Sequence, residues 1–315
     1  MTGVSKDSQR TSSLKYDGYE MPGETIMIKS KLTLLACSLC MAGTLAASFT
    51  ASAEEKKWTT VRIATEGAYH PYNFTKPDGT LDGMEIELYK VLCNNMQVKC
   101  EIMVQPFASA IPALNAGKYD AIIAGMSATA KRREVIDFSQ PYTQAGQTFA
   151  VLKSSSLAKD FPDAGVRFSI EPADEAKALA EVEKLKPLLE GKTIGVQSAS
   201  IASAFLDKYL KGVMKVREYK TTQEHDLDLK AGRVDLVIAS APYLKSTTDK
   251  PGNENIVMPG PQFIGGILGS GSSVGLRKSD PELKAMFDKA IDQAKQDGTI
   301  RKLSEKWFGM DTTPL

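Results

Sequence analysis

Histidine, tryptophan and cysteine are scarce in this chain of 315 residues, and neither sign of charge is in excess. It contains two histidines, two tryptophans and four cysteines, and its formal net charge is +1. A near-neutral chain without runs of like charge has no bulk attraction for nucleic acid or an anionic membrane surface. Two histidines are also few for a metal centre. We therefore expect no nucleic-acid partner, no metal and no cofactor.

Long apolar runs are missing beyond Ala53. Residues 27–53 begin with the basic stretch MIKSK, continue with the apolar LTLLACSLCMAGTLA and end in the small residues ASFTASA. This order is typical of a secretory signal peptide cleaved after about Ala53. No later segment approaches the ~20 apolar residues of a transmembrane helix. We expect a mature periplasmic protein, with residues 1–26 as an upstream extension; the alternative is lipidation at Cys37.

Two cysteines, Cys93 and Cys100, remain after such a cleavage. In an oxidising compartment an isolated even pair is more often a disulfide than a metal site, since zinc would need further ligands. We predict a structural Cys93–Cys100 disulfide at the end of a helix.

Short apolar runs alternate with amphipathic stretches, which favours an α/β fold with mostly parallel sheets. One pattern occurs twice: residues 116–120 (AGKYD) precede the apolar AII, and residues 231–235 (AGRVD) precede the apolar LVI. A strand near Val61 has a similar counterpart near Thr193. These repeats predict two similar lobes. Residues 157–191 do not fit the pattern, and we interpret them as a surface insertion in the second lobe.

The region from Lys118 to Tyr142 contains the most informative group of candidate binding residues. A buried strand ends in small residues that let another group approach the backbone. Free backbone N–H groups at a helix start, with a guanidinium at the same point, form a site for a carboxylate. The alternative is a helix capped by Thr129 and a surface arginine. The candidate ligand contacts here are Ala124, Gly125, Met126, Ser127 and Arg132.

This region resembles the bacterial extracellular solute-binding proteins of family 3, the periplasmic binders of polar amino acids. Further matching segments are residues 81–88 (LDGMEIEL), 93–100, 274–278 (VGLRK) and 297–308. The resemblance implies a type II periplasmic binding protein fold, in which two lobes, each a mostly parallel sheet flanked by helices, are joined by two hinge strands. We expect the first lobe at residues 54–146 and 263–315 and the second at 147–262. The crossovers should lie near 144–149 and 260–265.

The resemblance also assigns roles to individual residues. Arg132 and Ser127 would hold the α-carboxylate of the ligand, with Tyr69 lying over the ligand and Phe107 as a second wall. The alternative is that Tyr69 and Phe107 are ordinary aromatic residues of the core. The second lobe would close with a loop whose N–H groups reach the carboxylate, formed by Gln197, Ser198, Ala199 and Ser200.

Two positions depart from the amino-acid binders. Ser240 stands where those proteins have an aspartate for the primary ammonium, and the acidic residue of the first loop is the longer Glu66. A primary ammonium would lack its buried partner. Four segments are more similar to the nopaline- and octopine-binding proteins: residues 64–67 (ATEG), 124–127 (AGMS), 195–197 (GVQ) and 224–229 (EHDLDL). This resemblance implies an opine ligand, with a guanidinium tail suited to Glu66. His225 is a candidate to bind the second carboxylate of the ligand. The alternative is a purely structural role for this histidine. The alternative ligand is a basic amino acid such as arginine, lysine, ornithine or histidine.

Two other classes of protein, an enzyme and a sensor, fit the sequence less well. An enzyme resembling periplasmic dehydratases would need a general acid or base, for which Glu66 is the obvious candidate. Residues 271–275 (GSSVG) match a nucleophile elbow formally, yet a strand follows instead of the required helix. A sensor would be tethered to a membrane module. We therefore expect a monomeric binding protein without catalytic residues, which closes on its ligand and delivers it to an ABC permease.

Overall fold

The computed structural model of the chain describes residues 57–314. The predicted extension at 1–26, the signal peptide at 27–53 and its cleavage after about Ala53 lie outside the described residues. Within residues 57–314, every helix is too short or too polar to cross a membrane.

The described residues form fifteen strands and ten α-helices. In chain order the strands are β1 (Thr60–Thr65), β2 (Ala68–Tyr69), β3 (Asn73–Thr75), β4 (Leu81–Asp82), β5 (Lys99–Val104), β6 (Ala121–Ile122), β7 (Asp137–Thr143), β8 (Gln147–Leu152), β9 (Arg167–Ser169), β10 (Thr193–Gln197), β11 (Lys215–Tyr219), β12 (Leu236–Ser240), β13 (Ile256–Val257), β14 (Gln262–Ile264) and β15 (Ser272–Leu276). The helices are α1 (Met84–Met96), α2 (Ala110–Asn115), α3 (Ala130–Arg133), α4 (Leu157–Asp160), α5 (Glu175–Leu189), α6 (Ile201–Tyr209), α7 (Thr222–Lys230), α8 (Ala241–Thr248), α9 (Pro281–Gln296) and α10 (Thr299–Phe308).

Two large sheets share one arrangement. The first has the order β5-β1-β6-β15-β7, and the second has the order β11-β10-β12-β8-β14-β9, with β13 pairing to β8. In each, three neighbouring parallel strands are followed by one antiparallel strand, β15 or β8. We call the part around the first sheet lobe 1 and the part around the second lobe 2. The predicted α/β class is confirmed. The two large sheets are mixed, because five of their strand pairings are parallel and five are antiparallel.

The repeated sequence pattern corresponds to a pair of hydrogen bonds that an aspartate makes once in each lobe. We call this pair of bonds the aspartate joint. In lobe 1 the N–H of Asp120 donates to the carbonyl of Arg62 at 2.8 Å, and its carboxylate accepts from the N–H of Arg62 at 3.0 Å. In lobe 2 Asp235 makes the same two bonds to Thr193, at 2.8 and 2.7 Å. Each aspartate thereby fixes the start of a buried strand beside its parallel neighbour.

The chain passes from the first sheet to the second between Thr143 and Gln147, and it returns between Ile264 and Ser272. The last two helices, α9 and α10, meet at Gly298, whose φ of 76° suits glycine. Phe308 at the end of α10 is buried in the core of lobe 1.

The predicted disulfide is confirmed. Cys93 near the end of α1 is joined to Cys100 in β5, with their Cα atoms 6.2 Å apart. The bond therefore fastens the first long helix of lobe 1 to the edge strand of its sheet.

Residues 157–191 are not the surface insertion that the sequence suggested. Helix α5 buries Ala178, Val182, Leu185 and Leu189 in the core of lobe 2. These residues recur at helical spacing, so one face of α5 packs inward. In addition, β9 pairs in parallel with β14 and extends the sheet. The lysines of α5 and most of its glutamates lie on the outer face, whereas Ala178 and Glu181 are buried.

Candidate functional site

A cavity lies between the two lobes, where the loops after β1 and β6 of lobe 1 meet those after β10 and β12 of lobe 2. Ligands of open α/β sheets bind at the carboxyl ends of strands. Ten of the fourteen candidate ligand contacts line this cavity: Glu66, Tyr69, Phe107, Ala124, Gly125, Ser127, Arg132, Gln197, Ser200 and Ser240.

Arg132 is held by groups from both lobes. Its Nη1 donates to the carbonyl of Ser127 at 2.9 Å, and its Nη2 donates to the carbonyl of Ala199 in lobe 2 at 3.0 Å. Its guanidinium lies 5.5 Å from the ring centre of Phe107. Burial lowers the pKa of Arg132 to about 10, so the group stays charged at neutral pH. A guanidinium has five N–H donors, and those left over are available to a carboxylate.

Arg132 lies in the short helix α3, which begins after Thr129. Thr129 precedes α3, and its hydroxyl accepts a hydrogen bond from the N–H of Arg132 at 3.2 Å. Ser127, two residues earlier, pairs with Ser272 in a single β-bridge. The turn from β6 to α3 is thus fixed at both ends, which positions the guanidinium.

Glu66 is the acidic residue of the cavity. Its side chain is buried, and its Oε1 accepts a hydrogen bond from Nε2 of Gln197 in lobe 2 at 2.6 Å. Burial raises the pKa of Glu66 to about 7, and the nearby Glu85 adds to the increase. A carboxyl group with this pKa is partly protonated at neutral pH, and a cation beside it favours the ionised form.

Tyr69 has a different contact from the one expected. Its ring is stacked between Tyr72, at 4.9 Å between centroids, and Tyr243 of lobe 2, at 5.0 Å. Its hydroxyl shares a 2.6 Å hydrogen bond with the hydroxyl of Ser240. Since both faces of the ring are covered, Tyr69 presents its edge and hydroxyl, and it does not lie face-on over a ligand. The edge also touches Gly125, where an added Cβ would come within 3.0 Å of the ring.

The second lobe brings a helix start to the cavity. Ser200 precedes α6, and its hydroxyl accepts from the N–H of Ser203 at 3.1 Å. Ile201 and Ala202 in the first turn line the cavity, and backbone N–H groups at such positions have no partner within the helix. These groups can donate to an anionic oxygen.

Four candidate contacts lie outside the cavity lining. Met126 is buried in the core of lobe 1 and does not line the cavity. Ser198 donates its N–H to the carbonyl of Tyr219 at 2.9 Å, and Ala199 contributes its carbonyl to Arg132.

His225 is the clearest correction. It lies in the first turns of α7, fully buried inside lobe 2, with its ring 6.2 Å from both Tyr219 and Tyr243. Its Nδ1 is 3.0 Å from a carboxylate oxygen of Asp226. The helix therefore directs this side chain into lobe 2, and the structural alternative for His225 describes its position.

Several lining residues were missed by the sequence argument, among them Tyr72, Gln147, Thr222 and Ser272. Thr222 had a recognisable signal, because Thr221 and Glu224 form a capping box that marks the start of α7. The other three have no local motif. They reach the cavity through strand pairing and through contacts between distant segments.

Comparison with known proteins agrees with this geometry. Residues 61–310 match the model of the bacterial extracellular solute-binding proteins, family 3. An octopine-binding periplasmic protein of Rhizobium meliloti is 44% identical over 283 residues, which cover 84% of this chain and 94% of that protein. A lysine/arginine/ornithine-binding periplasmic protein of Escherichia coli is 33% identical, covering 88% and 97%. The solved structure of an ancestral arginine-binding protein bound to arginine is 32% identical, with a TM-score of 0.65 over 80% of this chain and 99% of that one. The chain belongs to the bacterial extracellular solute-binding proteins, family 3.

Proposed function

We propose that this protein is the periplasmic substrate-binding component of an ABC importer, and that its cavity binds an opine of the nopaline or octopine type. Such ligands are conjugates of an amino acid and a keto acid, and they carry a secondary nitrogen between two carboxylates. The periplasmic names of the relatives and the apolar segment at 27–53 support export. We also propose that the protein is a monomer and that it delivers its ligand to an inner-membrane permease.

The observation that carries the ligand class is the neutral Ser240. Its hydroxyl is buried and bonded to the hydroxyl of Tyr69 at 2.6 Å. A primary ammonium at this place would face two hydroxyl groups and no carboxylate, and an uncompensated buried charge costs several kcal/mol. A secondary nitrogen beside the ligand's own second carboxylate brings its counter-charge with it.

The two charged groups of the cavity fit the rest of such a ligand. Arg132, with the first turn of α6, offers donors to a carboxylate. Glu66 offers a carboxyl group to a guanidinium tail, as in conjugates of arginine. A zwitterionic conjugate thus meets groups of opposite sign at separate places in the cavity.

The proposed mechanism is hinge closure between the lobes. Contacts across the cavity join Arg132 to Ala199, Glu66 to Gln197, and Tyr69 to Ser240. A ligand that binds lobe 1 first and then completes contacts with lobe 2 favours the closed form by its difference in affinity for the two forms. The crossovers at residues 143–147 and 264–272 would carry the bending.

Calorimetric titration of the purified protein with nopaline, octopine, arginine, lysine and histidine tests the ligand class. We expect an opine to bind at least about 10-fold more tightly than any of the free amino acids. If arginine or histidine binds at least as tightly as any opine, the inference from Ser240 is wrong, and basic amino-acid binding becomes the function.

A second candidate, catalysis of the dehydratase type, is favoured by one observation. The raised pKa of Glu66, about 7, is suited to a general acid or base. Nuclear magnetic resonance of each ligand after long incubation with the protein decides this question. We expect every ligand to be recovered unaltered, and any ligand converted in proportion to protein concentration would establish an enzyme.

A further inference from the structure

Glu85 is a buried carboxyl group beneath the cavity rather than in its lining. It lies in the first turn of α1, and its residue is fully buried. In the sequence, Glu85 belongs to the segment LDGMEIEL at residues 81–88. A buried carboxylate is costly unless its oxygen atoms are hydrogen-bonded, so its partners indicate why it is there.

Three donors from three segments converge on Glu85. The N–H of Gly125 donates to Oε1 at 2.7 Å, and the hydroxyl of Tyr142 donates to the same oxygen. Nδ2 of Asn73 donates to Oε2 at 2.6 Å. The other end of this amide, Oδ1 of Asn73, accepts from the N–H of Gly67 at 2.7 Å. Backbone N–H groups can only donate, so the N–H of Gly67 fixes the orientation of the Asn73 amide. Oε2 of Glu85 then accepts from that amide, and Oε1 accepts from the N–H of Gly125.

The two glycines stand on the two ligand loops of lobe 1. Gly67 follows Glu66 directly, and Gly125 lies on the turn that leads to Arg132. Tyr142 adds a third link, since it is in the last residues of β7 before the crossover to lobe 2. One carboxylate therefore joins the loop of the acidic contact, the loop of the basic contact and the strand that enters the hinge.

We propose that Glu85 is a positioning residue for the ligand cavity, whose two oxygen atoms hold the Glu66 loop and the Gly125 loop in a fixed relative position. The proposal rests on the cavity being the ligand site. Only an acceptor at both ends satisfies the three donors, so an amide of the same shape does not replace the carboxylate.

Charge adds a second link to the same cavity. The negative charge of Glu85 contributes to the raised pKa of Glu66, after burial and against the bond from Gln197. Burial raises the pKa of Glu85 itself, and the bonds from Tyr142, Gly125 and Asn73 oppose this. The titratable groups that face this pair are Tyr69, Tyr72 and Tyr142, each with a pKa raised above the ordinary value by burial.

The test is an exchange of the two partners. Glu85→Gln places an amide donor against the amide donor of Asn73; if that amide turns over, its donor meets the N–H of Gly67. Asn73→Asp places two carboxylates against each other. In the double variant N73D/E85Q the carboxylate is at position 73 and the amide at position 85, so that all four bonds can form again. We expect each single variant to weaken octopine binding by about 10-fold or more, and the double variant to recover most of that loss.

Two further readouts separate positioning from simple destabilisation. Amide hydrogen exchange at Gly67 and Gly125 should rise together in E85Q and fall back together in the double variant. The midpoint of the pH dependence of arginine binding should move to lower pH in E85Q, because Glu66 loses its negative neighbour. The matched control is Glu87→Gln on the same helix, whose carboxylate bonds to Lys306 and Trp307 on the outside, and it should change none of these.

The outcomes are distinguishable. Unchanged affinity and unchanged exchange in E85Q would overturn the proposal, as would a double variant that recovers neither. If the unaltered protein binds no octopine, nopaline or arginine, the proposed function fails, whereas the paired exchange of Gly67 and Gly125 still decides whether Glu85 joins the two loops.

Discussion

Lobe 1 and lobe 2 share an order of strands and a repeated aspartate joint, yet they contribute different chemistry to the cavity between them. Among the described residues that line it, lobe 1 supplies the charged side chains, Glu66 and Arg132. Lobe 2 supplies neutral groups, among them Gln197, Ser200 and Ser240. The same fold thus carries an ionic half-site and a neutral one.

This difference has a physical consequence for selection. Charged side chains that are removed from water must be compensated by opposite charge or by strong hydrogen bonds. We therefore expect lobe 1 to select ligands by their charges and to bind poorly anything that leaves Arg132 or Glu66 uncompensated. Neutral donors and acceptors contribute about 0.5–1.5 kcal/mol each. We therefore expect lobe 2 to adjust affinity and to complete closure, and changes in it should shift selectivity more than they abolish binding.

The largest effect should come from removing the cation of lobe 1. We expect Arg132→Ala to weaken binding of every carboxylate ligand by at least about 100-fold, because several charge-assisted hydrogen bonds are lost from a buried site. Calorimetry with octopine and with arginine measures this. Arg133→Ala is the control, since the neighbouring side chain is directed to Asp137 at 3.5 Å and to the ring of Phe138. Retained affinity in R132A would show that the cavity is misassigned.

The second prediction concerns the acid of lobe 1 and pH. The pKa of Glu66 is raised from 4.5 to about 7. Its protonated form is therefore favoured by folding, and the resulting stability is complete below pH 4.5 and is lost as pH rises through 7. A ligand cation favours the ionised form, so its affinity should fall as pH is lowered, by roughly 10-fold per unit below pH 7.

Titration of arginine in buffers with different ionisation enthalpies should show proton release at pH 6 and little at pH 8.5. Glu66→Gln should bind more weakly and lose this dependence. An affinity that is flat between pH 5.5 and 8 in the unaltered protein would contradict the assignment of Glu66 as the partner of the cation.

The arrangement of residues around Arg132 could largely be predicted from the sequence. The turn at Ala124–Gly125, the cap at Thr129 and the basic Arg132 are adjacent in the chain, so that helix-start chemistry alone brings them together. Contacts that depend on packing were harder to predict. The stacking of Tyr69 between two rings involves Tyr243, which is distant in sequence, and His225 was assigned by its chemistry although helix α7 directs it inward.

Substitution of Ser240 tests directly whether the difference in charge between the two lobes determines which ligand is bound. We expect Ser240→Asp to give lobe 2 a charge and to improve the affinity for arginine relative to octopine by about 5-fold to 10-fold, since the new carboxylate can compensate a primary ammonium. Ser240→Asn, which is similar in shape but neutral, is the control. Calorimetry with both ligands on both variants measures the change. Equal effects of the two substitutions would show that size, not charge, determines selection here.

The smallest effect on binding should come from the repeated aspartates, which lie at the starts of their strands, away from the cavity at the strand ends. Asp120 accepts bonds from the side chains of Arg62 and Arg277, each at 2.9 Å, as well as from the backbone. Burial alone would raise its pKa, but these two arginines lower the pKa to about 2. Asp235 has the backbone bond to Thr193 and an exposed position.

We therefore expect Asp120→Asn to lower the free energy of unfolding by about 2 kcal/mol and Asp235→Asn by less than about 1 kcal/mol, with octopine affinity unchanged in both. Since the folded pKa of Asp120 is depressed, its contribution is present above pH 4 and is lost as pH falls towards 2. Urea unfolding at pH 7 and at pH 3 measures both effects. The difference between D120N and the unaltered protein should shrink at pH 3, whereas a difference independent of pH would mean that shape rather than charge stabilises the joint of lobe 1.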